Sequence, residues 1–481
     1  MCTTYENSRI KFEQAYIFMR KFGILFGLLL PFIALAQDCS KVNKKAVKRL
    51  KIDVSTLASD QMEGREPGTT GEIKARDYIV GRMQGIGLSP KGTDGFVQAF
   101  SYFETVKQKP NKTTLSVNNK LIRLNHEFYP INLSSNGILT DVPVLSASHG
   151  IHVPEEGYSD YERLDIEVNG YVVQIDISTP QNIEFEVPDL LARATEARNR
   201  GAVALLLYSS QKGIDLPISN FKRIEKIGIP VVILKPSAFA KVPVEYLENA
   251  SISVLQYEVP TKAHNVIGFL DNGAENTIAI MGHYDHLGYG GEGSLYKGPR
   301  KIHNGADDNA SGTAAVLELA HYFVNNKPTE KYNYLFIAFS AEEKGLLGSQ
   351  YFVQNPTIPL SELNFALNMD MVGRMEKNMD LTIEGVGSAL LWKSSLNEVD
   401  CDAFPLKLKM REDGPSDHTA FYNVGVPALH FWTGKHNDYH KPSDDVEKIN
   451  FGAESQIISF IESFLLKMDN LKKVEFHLRK K

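Results

Sequence analysis

Two stretches near the N-terminal end of the chain space their apolar residues as amphipathic helices do. The first runs from Ala46 to Leu57 and the second from Glu72 to Ile86. Their buried faces are predicted to carry Val47, Leu50, Val54, Leu57, Ile73, Ala75, Tyr78, Ile79, Met83 and Ile86. Between the two helices, the polar and glycine-containing segment Leu57–Arg65 predicts a loop.

The middle of the chain, residues 105–261, has the pattern of short β-strands separated by turns. Apolar and β-branched runs recur at Thr114–Val117, Gly170–Ile177, Ala202–Tyr208, Pro230–Leu234 and Ile252–Tyr257. One helix is predicted from Asp189 to Arg200. No cluster of histidines or carboxylates with ligand spacing occurs here, so we interpret this region as an inserted β-rich domain without chemistry of its own.

From Asn265 onward, apolar strands alternate with helices. Strands are predicted at Thr277–Gly282, Tyr334–Phe339, Phe365–Met369 and Ala428–Trp432, and helices at Ser311–Phe323 and Gly345–Val353. Asn309 or Ser311 is expected to cap the helix that begins near residue 311. Such alternation predicts an open α/β sheet, whose functional sites lie beyond the carboxyl ends of the strands.

Length and composition limit the classes of protein to consider. A chain of 481 residues exceeds one ordinary core. We expect a domain split into residues 37–104 and 262–481, with residues 105–261 inserted between them. The chain is 43% hydrophobic and 23% charged, which is typical of a globular protein, and its net charge of -6 gives no reason to expect binding to nucleic acid or to an anionic membrane.

The first 36 residues have the layout of a secretory signal peptide. Met19-Arg20-Lys21 precedes an apolar stretch, Phe22–Ala36, that ends in a small-x-small cleavage site. We predict cleavage after Ala36, a true start at Met19, and export to the periplasm or the extracellular space. The stretch is short for a membrane span, which needs about 20 residues, so we expect no span after cleavage, with an N-terminal anchor as the alternative. Whether Cys39 and Cys401 then pair in a disulfide is left open by the sequence.

Five metal-type ligands follow the predicted apolar strands or lie in a turn before a helix. They are His283, Asp307, Glu343, Asp370 and His440. Two histidines and three carboxylates suit a pair of zinc ions that share one carboxylate. We predict Asp307 as the shared ligand, His283 and Asp370 as the others on one metal, and Glu343 and His440 as the others on the second. The same donors would accept cobalt or manganese.

Two further carboxylates are predicted to assist these ligands. Glu342 precedes Glu343 directly, and adjacent side chains at a strand end point in different directions, so Glu342 is predicted as the general base. Asp285 is expected to bond the far ring nitrogen of His283 and fix its tautomer. His-x-Asp, Glu-Glu and Asp-Asp are each common on protein surfaces, and it is their succession in one domain that indicates a metal site. His286, His303, His418 and His436 have weaker support as ligands.

These motifs together resemble the M28 family of zinc aminopeptidases, in the version that carries an inserted protease-associated (PA) domain. The resemblance rests on the segments Ser59–Arg65, Gly282–Gly288, Asn304–Gly312, Ala341–Ser349, Asn368–Gly373, Ser416–His418 and Asp438–Asp444. It implies an α/β/α sandwich with a mixed sheet and two zinc ions, with the roles given above for His283, Asp307, Glu342, Glu343, Asp370 and His440. It also implies a cis peptide between Asp307 and Asp308.

The expected reaction is hydrolysis of the N-terminal peptide bond of peptides with a free amino group. Tyr439 or another nearby hydroxyl is expected to stabilise the oxyanion. Three alternatives stay open: a zinc carboxypeptidase or dipeptidase, a glutaminyl cyclase working with one zinc, and a non-catalytic protein that binds partners through the PA-like domain. The sequence also leaves open a homodimer, the side-chain preference and the role of the PA-like domain.

Overall fold

The computed structural model describes residues 39–178, 180, 183–211, 226–291, 293–326, 331–411, 414–468 and 473–478. The predicted signal peptide lies outside these residues. Within the ranges described, no helix is both long enough and apolar enough to cross a membrane. The described residues belong to one compact unit, and the predicted division into domains stays a prediction.

The strands fall into a larger sheet, a smaller sheet and one short hairpin. In chain order they are β1 Ser89–Pro90, β2 Val97–Gln108, β3 Thr114–Val117, β4 Lys120–Ile122, β5 Phe128–Pro130, β6 Gly137–Ser146, β7 His152–Val153, β8 Tyr158–Ser159, β9 Val172–Asp176, β10 Ala204–Tyr208, β11 Val231–Leu234, β12 Asn249–Val254, β13 Gln256–Leu270, β14 Asn276–His283, β15 Tyr332–Phe339, β16 Leu363–Met369, β17 Leu381–Glu384, β18 Leu406–Leu408 and β19 Ala428–Trp432.

Each predicted helix is present, with bounds close to the predicted ones. They are α1 Lys44–Leu57, α2 Thr70–Ile86, α3 Leu190–Asn199, α4 Gly312–Asn326, α5 Leu347–Gln354, α6 Trp392–Asn397, α7 His418–Asn423 and α8 Phe451–Met468. Of the two predicted caps of α4, Asn309 makes the bond: its side-chain oxygen accepts the N–H of Gly312 at 2.8 Å. The predicted buried face of α2 is correct except at Ile73, which is 39% exposed, and at Tyr78, which is only partly buried.

The larger sheet is mixed, in the order β1-β13-β15-β14-β16-β19-β17-β18 with β2 paired to β13. The neighbouring pairs β15-β14, β14-β16 and β16-β19 are parallel, and so is the pair β17-β18 at the edge. Strand β13 runs antiparallel to β15, and β17 runs antiparallel to β19. Helices α1, α2, α4 and α8 contribute buried residues to the core on one face. Helices α5 and α7 contribute to the core on the other face, so the predicted α/β/α sandwich with a mixed sheet is confirmed.

The smaller sheet is built from residues 114–254, in the order β4-β3-β12-β6-β9-β10-β11-β5. It lies inside the range predicted as a β-rich insert, although its assignment as a PA domain stays a prediction. One predicted strand is wrong in its bounds: the run Ile252–Tyr257 is divided between β12 and β13, which belong to different sheets. The long pairing of β2 with β13, from Val97 opposite Val266 to Gln108 opposite Gln256, was not predicted.

A disulfide joins Cys39 to Cys401, with their Cα atoms 5.6 Å apart. It connects the segment before α1 to the loop between α6 and β18. Cys39 is buried in the same core as α1 and α8. The sequence left this pairing open because it does not show that two cysteines 362 residues apart meet in the fold.

Glu454 in α8 is a fully buried carboxyl, and neither of its oxygens has a hydrogen-bond partner among the described residues. Burial raises the pKa of Glu454 well above its usual range. In the unfolded chain this group ionises near pH 4.3, roughly its unperturbed value, while the folded protein keeps it protonated to higher pH. The protonated Glu454 therefore contributes its full stability below about pH 4.3, the pKa in the unfolded chain. That contribution to the free energy of unfolding is lost as the pH rises towards the raised pKa of the folded protein.

We expect Glu454→Gln to remove this loss because glutamine has no proton to give up. The free energy of unfolding of the variant, relative to that of the original protein, should increase as the pH rises from about 4.3 towards the raised pKa of Glu454, by up to about 1.4 kcal/mol per pH unit. Urea denaturation at several pH values measures this difference, with exposed Glu447→Gln as the control. A difference that does not change with pH would show that Glu454 is not protonated in the folded protein.

Candidate metal centre and active site

Side chains from neighbouring strand ends converge at one edge of the larger sheet. His283 is the last residue of β14, and Asp370 follows β16 directly. Glu342 and Glu343 follow β15, while His440 lies in the loop after β19. Since β14, β15, β16 and β19 are parallel to one another, their carboxyl ends lie at the same edge. The structure thus brings together all the predicted site residues except Asp307.

His283, Asp308 and Asp370 form a first group of ligand atoms. Nε2 of His283 lies 3.4 Å from Oδ1 of Asp308 and 3.3 Å from Oδ1 of Asp370. Oδ1 of Asp370 is buried and accepts no hydrogen bond from the described residues. A buried carboxylate oxygen without a donor is costly unless a cation faces it, so this group fits a divalent metal ion.

Asp308, Glu343 and His440 form a second group beside the first. Nε2 of His440 lies 3.2 Å from Oδ2 of Asp308 and 3.2 Å from Oε2 of Glu343. Asp308 therefore turns one oxygen towards each group, which is the arrangement of a carboxylate shared by two metal ions. The donors are imidazole nitrogens and carboxylate oxygens, which zinc and similar ions accept.

Asp307, predicted as the shared ligand, belongs to neither group. Its Oδ1 accepts hydrogen bonds from the N–H of Gly373 at 2.7 Å and the hydroxyl of Ser311 at 3.0 Å. Its Oδ2 lies 3.2 Å from Nε2 of His436. The predicted role fits the next residue, Asp308, because adjacent side chains of this turn point in different directions. The cis peptide is likewise one position later, between Asp308 and Asn309.

The turn that presents Asp308, Ala306–Ser311, is fixed by a carboxylate from far along the chain. Oδ2 of Asp444 accepts the main-chain N–H groups of both Asp307 and Asp308, each at 3.0 Å. The main-chain oxygen of Asp444 also accepts the N–H of Ala306. Sequence reasoning gave Asp444 no role, although it closes the motif that contains His440.

Arg65 is a fully buried cation that ties the loops of the site together. Its guanidinium donates to the main-chain oxygens of Tyr284 and Leu57, each at 2.6 Å, and of Asn304 at 2.6 Å and Gly305 at 2.9 Å. Burial lowers the pKa of Arg65 to about 10, so the side chain stays charged at neutral pH. The segment containing Arg65 was recognised in the sequence, but this function was not.

The histidines that contact the carboxylate ligands lower the pKa values of two of them, Asp308 and Glu343. Burial alone would raise the pKa of Asp308, but its contacts with His283 and His440 hold it well below the usual range. The pKa of Glu343 is lowered to about 2 because contacts with His286 and His440 outweigh burial and the repulsion from Asp308. Both carboxylates are therefore ionised, which is the state that binds a cation.

Asp285 and Ser416 support the ligands in different ways. The carboxylate of Asp285 accepts the main-chain N–H groups of Glu342 at 3.1 Å and Glu343 at 3.3 Å. Its Oδ1 lies 3.7 Å from Nδ1 of His283, beyond a normal hydrogen bond, while its main-chain oxygen lies 3.3 Å from that nitrogen. The hydroxyl of Ser416, which was not predicted, donates to Oδ2 of Asp370 at 2.9 Å.

Glu342, the predicted general base, lies next to the first group without belonging to it. Its Oε2 is 4.0 Å from Nε2 of His283. Burial, together with repulsion from Asp370 and Glu343, raises the pKa of Glu342 well above its usual range despite the opposing effect of His283. A carboxyl group whose affinity for protons is raised in this way can both take up and release a proton.

Comparison with known proteins shows which family the site-forming part of the chain is similar to. Residues 265–465 match the model of peptidase family M28. The chain is 30% identical to aminopeptidase YwaD of Bacillus subtilis over 276 residues, or 54% of this chain and 55% of that one. The segment that matches the family model contains His283, Asp308, Glu343, Asp370 and His440, so the part of the chain that forms the site is similar to this peptidase family. The match covers about half the length of that relative.

Two further similar proteins extend the match. It is 24% identical to a probable lipoprotein aminopeptidase, LpqL of Mycobacterium tuberculosis, over 77% of this chain and 70% of that one. The crystal structure of BSAP, a zinc aminopeptidase from Bacillus subtilis, superposes with a TM-score of 0.54 at 22% identity, over 90% of this chain and 98% of that one. The structural likeness supports the fold.

A cavity of about 450 Å³ opens on the two groups of ligand atoms. The lining includes Asp308, Glu342, Glu343, Asp370 and His440 on one side. Its other walls are formed by Gly345, Leu346, Met371, Glu384, Lys409, Arg411, Pro415, His430, Trp432, Lys435 and Tyr439. A larger cavity of about 1020 Å³ lies beside Cys401, but none of the ligands described above lines it. The smaller cavity is the candidate active site.

Substitution of the two adjacent aspartates tests which of them binds metal. We expect Asp308→Asn to lower the divalent metal bound per chain, because Asp308 contributes one oxygen to each group. Asp307→Asn should keep the metal, because the oxygen of asparagine can still accept from Gly373 and Ser311. It should lose stability instead, because it no longer presents a carboxylate oxygen to His436. Metal analysis after dialysis and thermal unfolding of the same preparations measure both effects. Loss of metal in Asp307→Asn but not in Asp308→Asn would restore the prediction made from the sequence.

Proposed function

We propose that this chain is an exported two-zinc aminopeptidase, which removes N-terminal residues from peptides. The observation that carries the proposal is Asp308, which directs one oxygen towards each of two ligand groups at the floor of a cavity. The relatives that are named aminopeptidases support the same activity.

The proposed ligands are His283, Asp308 and Asp370 for one zinc ion, and Asp308, Glu343 and His440 for the other. Each ion would then have three protein ligands and an open position, as catalytic zinc sites do. When bound, the ions would polarise the carbonyl of the substrate and lower the pKa of the attacking water. Cobalt or manganese are possible replacements for zinc, because the donors are nitrogen and oxygen.

Glu342 is the proposed general base. It lines the cavity beside the ligands, and its raised pKa suits a group that accepts a proton from water and then donates it to the leaving amine. Asp285 would hold Glu342 in place through the bond to its main-chain N–H. The carboxylate of Glu342 is then free to turn into the cavity.

Tyr439 is the proposed donor to the oxyanion. Its ring stacks on that of His440, with centroids 3.8 Å apart, and it lines the cavity. Burial raises the pKa of Tyr439, so its hydroxyl keeps its proton at neutral pH. A neutral hydroxyl beside the ligands can donate a hydrogen bond to the oxygen on which negative charge develops.

Export is supported by the disulfide between Cys39 and Cys401, since disulfides persist in oxidising compartments. The named lipoprotein relative is consistent with export as well. We place the protein in the periplasm or outside the cell. We propose that the smaller sheet belongs to a PA-like domain, and a homodimer is a further proposal that size measurements in solution test directly.

A panel of amino-acid anilides tests the proposed reaction. We expect cleavage of anilides with a free amino group and no cleavage of the same compounds when N-acetylated, with about two zinc ions bound per chain. Equal cleavage of both would contradict an aminopeptidase. Unblocked peptides and dipeptides complete the panel. Removal of residues only from the carboxyl end would favour a carboxypeptidase, and cleavage of dipeptides alone would favour a dipeptidase. One bound zinc ion together with cyclisation of N-terminal glutamine would favour a glutaminyl cyclase. A chain that binds no metal and turns over no substrate would favour a binding protein.

Glu342→Gln tests the general base. We expect kcat to fall by about 10²- to 10⁴-fold, because glutamine cannot accept a proton. The metal bound per chain should not change, since Glu342 is not a proposed ligand. Steady-state kinetics and metal analysis measure the two quantities, with exposed Glu376→Gln as the control. A variant that keeps full activity would show that another group takes the proton.

A further inference from the structure

His286 is a fully buried histidine beside the site that the proposed mechanism does not use. Its Nδ1 lies 2.7 Å from Oε1 of Glu343, a short and charge-assisted contact. Nε2 is buried and has no hydrogen-bond partner among the described residues. The contact with Glu343 is therefore the one polar contact the described residues offer this ring.

The ring of His286 is held from several sides. Gly305 has a φ of +56°, and a Cβ there would lie 2.5 Å from Cδ2 of His286, so this position admits the ring only because it is glycine. The main-chain N–H of His286 donates to the oxygen of Arg65 at 3.3 Å. The ring also meets that of His440 edge-on, with centroids 5.8 Å apart.

The two oxygens of Glu343 consequently face different partners. Oε1 is taken by His286, whereas Oε2 lies 3.2 Å from Nε2 of His440. The main-chain N–H of Glu343 is bound by Asp285 at 3.3 Å. A carboxylate fixed at one oxygen and at its own backbone presents only the other oxygen to a cation.

We propose that His286 is a positioning residue, which holds Glu343 so that only Oε2 binds metal. This inference rests on the proposed two-metal function. Oε1 would otherwise be available as a second donor from the same carboxylate, and both oxygens of Glu343 could bind one ion. By occupying Oε1, His286 keeps a coordination position free for water or substrate.

A direct role for His286 as a metal ligand is the competing interpretation, because its ring lies close to Asp308 and Glu343. Two observations favour positioning. Asp308, Glu343 and His440 already place three donor atoms around one point. A fourth side chain would close the site, which is the form of a structural rather than a catalytic centre.

The experiment compares His286→Asn with His286→Leu. The amide nitrogen of asparagine can stand where Nδ1 stands and donate to Glu343, while leucine has a similar shape and no donor. Metal affinity is measured on the metal-free proteins by competition with a chelator, together with kcat and KM. His303→Leu is the control, since His303 is buried in the adjoining segment and bonds Ser294 and the main chain of Lys301 rather than a ligand.

We expect His286→Leu to weaken the binding of one zinc ion by about 10- to 100-fold, and His286→Asn to restore it to within about threefold of the original protein. His303→Leu should keep the original affinity even where it unfolds at a lower temperature. If His286→Leu does not fold, His286→Ala takes its place in the comparison. The cobalt-substituted proteins give a second readout, since the visible absorption of cobalt reports its coordination number.

Two results would overturn the inference. In one, His286→Leu binds metal as tightly as the original protein. In the other, His286→Asn is as defective as His286→Leu, which is the result expected if the imidazole itself binds metal. Both outcomes leave the proposed function intact, provided that the original protein binds metal and cleaves free-amine anilides. If the original protein binds no metal, the proposed function fails first.

Discussion

Mutual repulsion among buried carboxylates is the constraint on which this site depends. Within one edge of the larger sheet, the protein buries Asp285, Asp307, Asp308, Asp417 and Asp444 and half-buries Glu342, Glu343 and Asp370. Two like charges about 4 Å apart repel by about 4 kcal/mol even at an effective dielectric constant near 20. The site is stable only if protons, cations or N–H groups offset this repulsion, and the carboxylates differ in which of these they meet. Burial raises the pKa of Asp417 to about 7, so this group can keep a proton, whereas the contacts with His283 and His440 keep Asp308 ionised.

The basic side chains near the site differ in what they touch. His283 and His440 face the carboxylate oxygens that would bind metal. Arg65 instead donates to main-chain oxygens of the loops on both sides of the ligands, so its charge acts on the carboxylates without occupying any of their oxygens. Asp444 fixes the backbone from the other side of the charge balance, because its carboxylate accepts main-chain N–H groups of the turn that carries Asp308. The position of the ligands is thus fixed largely through the backbone, and their oxygens are left to face a cation.

Much of the fold and the general location of the site could be predicted from the sequence because both follow from local patterns. The apolar runs ending at His283 and Met369 identify parallel strands, and polar residues just beyond such strands share one edge of the sheet. The long pairing of β2 with β13 was not predicted, because each strand mixes polar with apolar residues. Such strands are stabilised by the neighbouring strand more than by a pattern in their own sequence. The end of β12 and the start of β13, on either side of Leu255, were missed for the same reason. The chain passes there from the smaller sheet to the larger one, and no local pattern marks the change.

The choice between Asp307 and Asp308 as the shared ligand could not be made from the local sequence. The motif limits the shared ligand to one of two adjacent residues, and both are buried carboxylates. What separates them is the set of contacts brought from elsewhere: Gly373 binds the oxygen of Asp307, and Asp444 fixes the turn so that Asp308 faces the histidines. The same holds for His286, whose ring reaches Glu343 only because Gly305 leaves room for it. A sequence motif therefore identifies the turn that carries a ligand, while tertiary contacts determine which atom of that turn faces the metal.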